Sequence, residues 1–132
     1  MAGMKLIALA VAAMQVIVPA HHRHHYAHPV KHYARVQMAK IDHVKSTSQF
    51  DCLDKLWVRE SGWNKYAENP SSGAYGIPQS LPGSKMASAG KDWRTDAWTQ
   101  VRWGLRYIRS RYSTPCGAWS HETGYGWYIA SK

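Results

Sequence analysis

Between Ser48 and Gly62 the apolar positions repeat at helical spacing. At about 100° per residue, Phe50, Leu53, Leu56, Trp57 and Glu60 fall on one stripe roughly 120° wide. Asp51, Lys55 and Arg59 lie away from it, so the pattern predicts an amphipathic helix. Thr47 or Ser48 is available as its cap, and Ser48 with Asp51 suggests a capping box. Gly62 is placed to end it. A second helix is predicted over "TDAWTQVRWGLRYIRSRY", capped by Thr95 or Asp96. Ala97, Trp98, Val101, Gly104, Leu105, Ile108 and Tyr112 share one face, while Trp103 and Tyr107 sit on the other. A helix apolar on both faces is expected in the middle of a domain. Gly104 is expected to admit a close neighbour.

Between these helices, two Asn/Pro/Ser/Gly clusters bracket the short apolar stretch Ala74 to Ile77. Turns with one or two very short strands fit there, and Pro78 and Pro82 exclude a long central strand. "STPCGAWSHETGYGWY" closes the domain with small, turn-prone and aromatic residues. The expected class is mainly α, with a small loop or hairpin lobe and no internal repeat.

The N-terminal third reads differently. A lysine followed by the mostly apolar run Leu6 to Val18 and then Pro19-Ala20 has the layout of a secretory signal peptide over 1–20. A retained anchor is the competing reading, although the run is short for a membrane span. Residues 21–48 carry seven of the eight histidines without a clear apolar period and read as a basic, His-rich linker. His21, His22, His24 and His25 lack fixed ligand spacing, so a solvated, pH-responsive segment is favoured over a metal site. The compact domain is placed at 49–128, with 129–132 as a tail.

Composition adds two constraints. The formal net charge is +9, and loss of the leader removes only Lys5. Such a chain suits anionic partners, among them nucleic acid and the polymers of a bacterial wall. Its arginines decorate a helix without a recognised nucleic-acid module, which favours the wall. In an exported chain, Cys52 and Cys116 are expected to pair as a disulfide.

The candidate chemistry centres on Glu60. A carboxyl on a core-facing stripe conflicts with its surroundings and needs a partner or a purpose. An apolar flank raises its pKa, and a carboxylic acid still protonated near neutrality is what acid-catalysed glycosidic cleavage requires. The bland alternative is a boundary residue paired with Arg59 or another cation.

"RESGWNKYAENPSSGAYGIPQSLPG" resembles the signature of soluble lytic transglycosylases of the lysozyme-like superfamily. Glu60-Ser61 match its first motif, and Gly73-Ala74-Tyr75-Gly76-Ile77-Pro78-Gln79 match its second. "TQVRWGLRYIRSRYSTPCGAW" is similar to the compact branch that includes resuscitation-promoting factors. The resemblance covers nearly all of residues 50 to 128. It implies an α+β lysozyme-like fold, peptidoglycan as substrate, no cofactor, and Glu60 as the catalytic acid/base. It further implies that Ser61 supports orientation and that Gln79 and the loop around Tyr75 contact the glycan. Trp63, Tyr75 and Trp119 would stack on pyranose rings. Where the family carries Ala-Tyr-Asn, this chain has Ala118-Trp119-Ser120, whose indole can only donate; Tyr107 is a spatial substitute.

In the implied reaction one carboxyl suffices, because the muramyl 6-hydroxyl is the nucleophile and a 1,6-anhydro end results. A hydrolytic route needs a second carboxylate about 5–9.5 Å away, with Glu68, Asp92, Asp96 and Glu122 as candidates. The chain is expected to be a monomer, and two rival readings are a cysteine peptidase built on Cys52 and His121, and a non-catalytic wall-binding module that uses the basic His-rich segment and the aromatics.

Overall fold

A computed structural model describes residues 20–42 and 46–129, with side chains in the first helix from 27 to 41. The leader expected over 1–20 therefore lies almost wholly outside the described residues. Among the described residues, four α-helices follow in order: α1 (Ala20–Asp42), α2 (Thr47–Ser61), α3 (Ala97–Tyr112) and α4 (Pro115–Tyr125). A short 3-10 helix covers Gly83–Ser88. Among the described residues there is no strand. The expected hairpin lobe reduces to two isolated bridges, Glu68 with Tyr75 and Tyr75 with Ser80.

Both helices expected from periodicity are present. In α2, Phe50, Leu53, Leu56 and Trp57 are buried, and Gly62 ends the helix in the left-handed region at φ 60°. Its N-terminus differs from expectation. Ser46 occupies the cap position without a side-chain hydrogen bond, so neither Thr47 nor Ser48 caps it and no capping box forms. Ser46 Oγ instead meets Ser48 Oγ at 2.6 Å. In α3, Asp96 caps as expected, its carboxylate accepting the Thr99 N–H at 2.7 Å. A Cβ on Gly104 would stand 2.6 Å from Trp57 Cζ2 and 3.1 Å from Pro78 Cβ. The missing side chain is what lets α3 press onto both α2 and the connecting loop.

The linker expected over 21–48 is corrected: most of it is helical. Val30, Ala34 and Met38, each four residues from the last, are buried in the central core. Four-residue spacing puts them on one face, where α1 packs against α3. Arg102 Nη1 on α3 donates to the Tyr33 hydroxyl at 3.2 Å, and Arg109 Nη1 donates to the Ile41 carbonyl at 2.7 Å. The closing segment is a second correction. It forms α4, started by Thr114, whose side chain accepts the Gly117 N–H at 3.1 Å, with Pro115 in the first turn. Ile129, expected to begin a tail, packs against the core.

A disulfide joins Cys52 on α2 to Cys116 on α4, with 4.9 Å between Cα atoms. At a sequence separation of 64 residues, loop entropy alone would make it worth about 4 kcal/mol. The bond leaves no free cysteine among the described residues and removes the thiol that a cysteine peptidase would need. No described helix is long and apolar enough to cross a membrane.

Candidate active site

The last turn of α2 meets the loop that runs from Gly62 toward α3. Ser61 joins them: its Oγ donates to the Ile77 carbonyl at 2.8 Å and lies 3.3 Å from the Trp57 carbonyl. Gln100 on α3 organises the same loop from beneath. Its Oε1 accepts the Ile77 N–H at 2.9 Å, and its Nε2 donates to the Lys65 and Trp93 carbonyls at 3.0 and 2.8 Å. Gly76, at φ 76°, passes directly over that amide; a Cβ there would fall 2.5 Å from Gln100 Oε1. Gln100 is fully buried and was not singled out by sequence, because a lone glutamine on a helix carries no periodic signal.

Glu60 sits at this junction, half-buried at the end of α2. Its pKa is pushed up from 4.5 to about 9. Burial is the first cause, followed by the negative charge of Glu122 and a side-chain hydrogen bond to it; Arg59 acts weakly in the opposite direction. Glu122 comes from α4 and is only 3% exposed. Arg59 Nε holds its Oε1 at 3.0 Å, whereas its buried Oε2 has no partner if both glutamates are carboxylates. Arg59 is thus paired with Glu122 and not with Glu60, against the bland expectation for that arginine.

Tyr128 closes the inner side. Its hydroxyl accepts the Trp57 indole N–H at 3.1 Å and donates to the Pro78 carbonyl. It is fully buried, and its pKa is driven well above the usual value by burial and then by the charge of Glu60. Tyr107 and Tyr112 on α3 both donate to the Tyr128 carbonyl, Tyr107 at 3.3 Å. Tyr128 is therefore near enough to Glu60 to feel its charge, and Tyr107 is joined to it through the Tyr128 carbonyl.

The other expected contact residues divide. Trp63 is a correction: at 6% exposure it packs on Phe50 and Trp57, and its indole N–H donates to Asp54 Oδ1 at 2.8 Å. A ring in the core cannot stack on a sugar. Gln79 is also buried, and its Nε2 donates to the Ala67 and Gly76 carbonyls, so it braces the loop and offers no amide hydrogen outward. Tyr75 is half-buried; its hydroxyl donates to the Arg94 carbonyl at 2.7 Å and its ring meets Trp93 edge-on at 5.6 Å. Tyr107 is half-buried and stacks on the buried Trp103 at 5.3 Å. Trp119 is partly buried against the core. Glu60, Ser61, Tyr107 and the loop of Tyr75 and Gln79 thus share one junction through direct or one-residue links, and Trp63 does not join them.

The candidate second carboxylates also separate. Asp96 caps α3, and Asp92 accepts the Thr99 hydroxyl at 2.7 Å. Glu68 is exposed on the loop. Glu122 alone among the four adjoins Glu60. No group of three or more described His, Cys, Asp or Glu side chains is arranged to hold a metal ion. No family model, curated protein or solved structure matches this chain.

Proposed function

We propose that the chain is a lytic transglycosylase of lysozyme-like α+β type. It would cut peptidoglycan between N-acetylmuramic acid and N-acetylglucosamine, outside the cell, as a monomer and without a cofactor. The observation that carries the reading is the placement of the Glu60 carboxyl against the buried Glu122, at the rim of a glycine- and serine-rich loop, where burial and that neighbour push its pKa up to about 9. A neutral carboxylic acid at physiological pH is a proton donor in waiting.

In this reading Glu60 protonates the bridging oxygen, and the C–O bond breaks toward an oxocarbenium-like state. The carboxylate then takes the proton of the muramyl 6-hydroxyl as that oxygen closes onto the anomeric carbon. Ser61 and Gln100 fix the loop against the acid. The position of Glu122 favours this route over hydrolysis. The two carboxyls of a hydrolase stand about 5–9.5 Å apart, with the sugar or a water between them. Glu60 and Glu122 are close enough to hydrogen-bond, and Glu122 is buried, so neither sugar nor water fits between them. The strong positive charge suits capture by an anionic wall, weakened by salt.

The test is a digest of purified peptidoglycan with the native chain and with Glu60→Gln, the products read by mass spectrometry. Anhydro-muramyl ends, one water lighter than reducing ends, are expected from the native chain and none from the variant. Reducing ends would convert the reading to hydrolysis, and an inert native chain would end it.

A further inference from the structure

Glu122 is a buried acid whose two oxygens are treated unequally. Oε1 has the Arg59 guanidinium at 3.0 Å; Oε2 is buried and lacks a donor. An orphaned carboxylate oxygen in the interior is costly, and such atoms in folded proteins nearly always find a partner. The group beside Glu122 is the Glu60 carboxyl, delivered by the packing of α2 on α4 and held there by the Cys52–Cys116 bond. Two carboxylates cannot donate to each other. A carboxylic acid and a carboxylate can, through one O–H.

We propose that Glu122 is a positioning residue whose Oε2 accepts the carboxylic O–H of Glu60, so that a proton is stored at Glu60 until a glycosidic oxygen takes it. The inference rests on the reading of Glu60 as the acid. It adds a return stroke to that reading. Once the O–H turns outward and the proton leaves, the electron pair stays on Glu60 and two carboxylates face each other. Their repulsion makes Glu60 an avid acceptor for the proton of the attacking hydroxyl, which restores the O–H and the hydrogen bond to Glu122. One proton leaves and one returns, with no second flanking carboxylate.

The charged and titratable groups around the pair are few. Arg59 comes from α2 and grips Glu122; Tyr128 reaches in from the C-terminal segment, with Tyr107 and Tyr112 of α3 behind it. This makes the signs of substitution definite. Glu122→Gln removes the neighbouring charge, and Glu60 should ionise at lower pH. Arg59→Gln removes the cation that opposes that charge, and Glu60 should ionise at higher pH.

The chain has three glutamates, Glu60, Glu68 and Glu122, so carbon-13 labelling of glutamate carboxyls gives a readable NMR titration of the full chain. The signal assigned by its loss in Glu60→Gln is expected to titrate on the alkaline side of neutral. In Glu122→Gln, checked for fold by circular dichroism, its midpoint should fall by more than one pH unit. In Arg59→Gln it should rise. A midpoint unmoved in folded Glu122→Gln overturns the proposal, as does a fall in Arg59→Gln. Should Glu122→Gln fail to fold, Arg59→Gln decides: a rise supports the stored proton, and no change or a fall refutes it. The titration needs no substrate. Failure to cleave peptidoglycan with the opposed shifts intact would remove the activity and leave the pair standing.

Discussion

Asp54 and Glu60 are acids on the same helix, less than two turns apart, and their surroundings are opposite. Asp54 Oδ1 receives the Trp63 indole N–H at 2.8 Å and the Lys31 ammonium at 2.7 Å. Glu60 receives neither a cation nor an indole; it is pressed into the interior against another glutamate. Asp54 is a satisfied anion that ties α1 and the loop to α2. Glu60 is an acid that its neighbours oblige to keep a proton. The difference lies in what α1 and α4 bring to each face of α2, and it separates a carboxylate satisfied by donors from the one we propose as the catalytic acid.

The largest expected effect is on rate. Loss of a general acid lowers turnover by about 10²–10⁴-fold. Glu60→Gln should therefore fall about a thousandfold or more in anhydro-product formation, while Asp54→Asn should stay within about twofold when assayed well below its unfolding temperature. Equal losses in the two variants would erase the distinction between them.

Next in size is the helix that supplies the partner of Asp54. Met38 is almost fully buried on α1, among residues of the central core. Met38→Ala should destabilise the fold by about 2–4 kcal/mol in denaturant unfolding. It should loosen the surroundings of Asp54 and leave the Glu60 titration nearly in place, because Glu122 and Arg59 come from α4 and α2. A loss below about 0.5 kcal/mol would mean that α1 is not part of the core.

How much of this was legible along the chain follows from the kind of signal each element carries. α2 and α3 announce themselves because large apolar residues recur at every turn, and Asp96 and Gly62 mark their ends. The inward face of α1 is narrow: Val30, a small Ala34 and Met38, set among histidines, cations and Pro29. That composition resembles a linker until α3 is present to bury the stripe. α4 hides for a related reason. Gly117 and Gly124 lower its helical signal, and its buried residues are Pro115, Ala118 and Glu122, so one of the three is an acid. Glu60 could be picked out as an acid on an apolar stripe, but its partner could not, since the pairing exists only where α2 and α4 cross. Trp63 misled in the other direction. An aromatic beside a candidate acid suggests a sugar platform, and only its packing on Phe50 and Trp57 shows that it belongs to the core.

A further effect appears in the dependence of stability on pH. Folding raises the pKa of Glu60 from 4.5 to about 9, so across that interval the folded state binds more protons than the unfolded chain. The contribution of the protonated group is fully present below about pH 4.5 and is lost as pH rises toward 9. Glu60→Gln imitates the neutral acid at every pH and removes this slope. At pH 8 it should be more stable than the native chain, and at pH 4 equal to it, by urea denaturation. A variant less stable at pH 8 would show that the carboxyl is ionised in the folded protein.

The smallest effect belongs to Lys31. Its ammonium and the Asp54 carboxylate are both about one-third exposed, at 30% and 35%, so water and salt screen their attraction. The same ammonium lies 5.6 Å from the Trp63 ring centroid, a second weak contact. Lys31→Ala should therefore lower stability by only about 0.5 kcal/mol at low salt, and by less at high salt. Asp54 would keep the Trp63 indole as a donor, so its carboxylate would not be stranded as Glu122 Oε2 would be if Glu60 lost its proton. A loss above about 1.5 kcal/mol that persists at high salt would show Asp54 to depend on its cation as a buried ion does. The two acids of α2 would then differ in their partners but not in how strongly the fold constrains them.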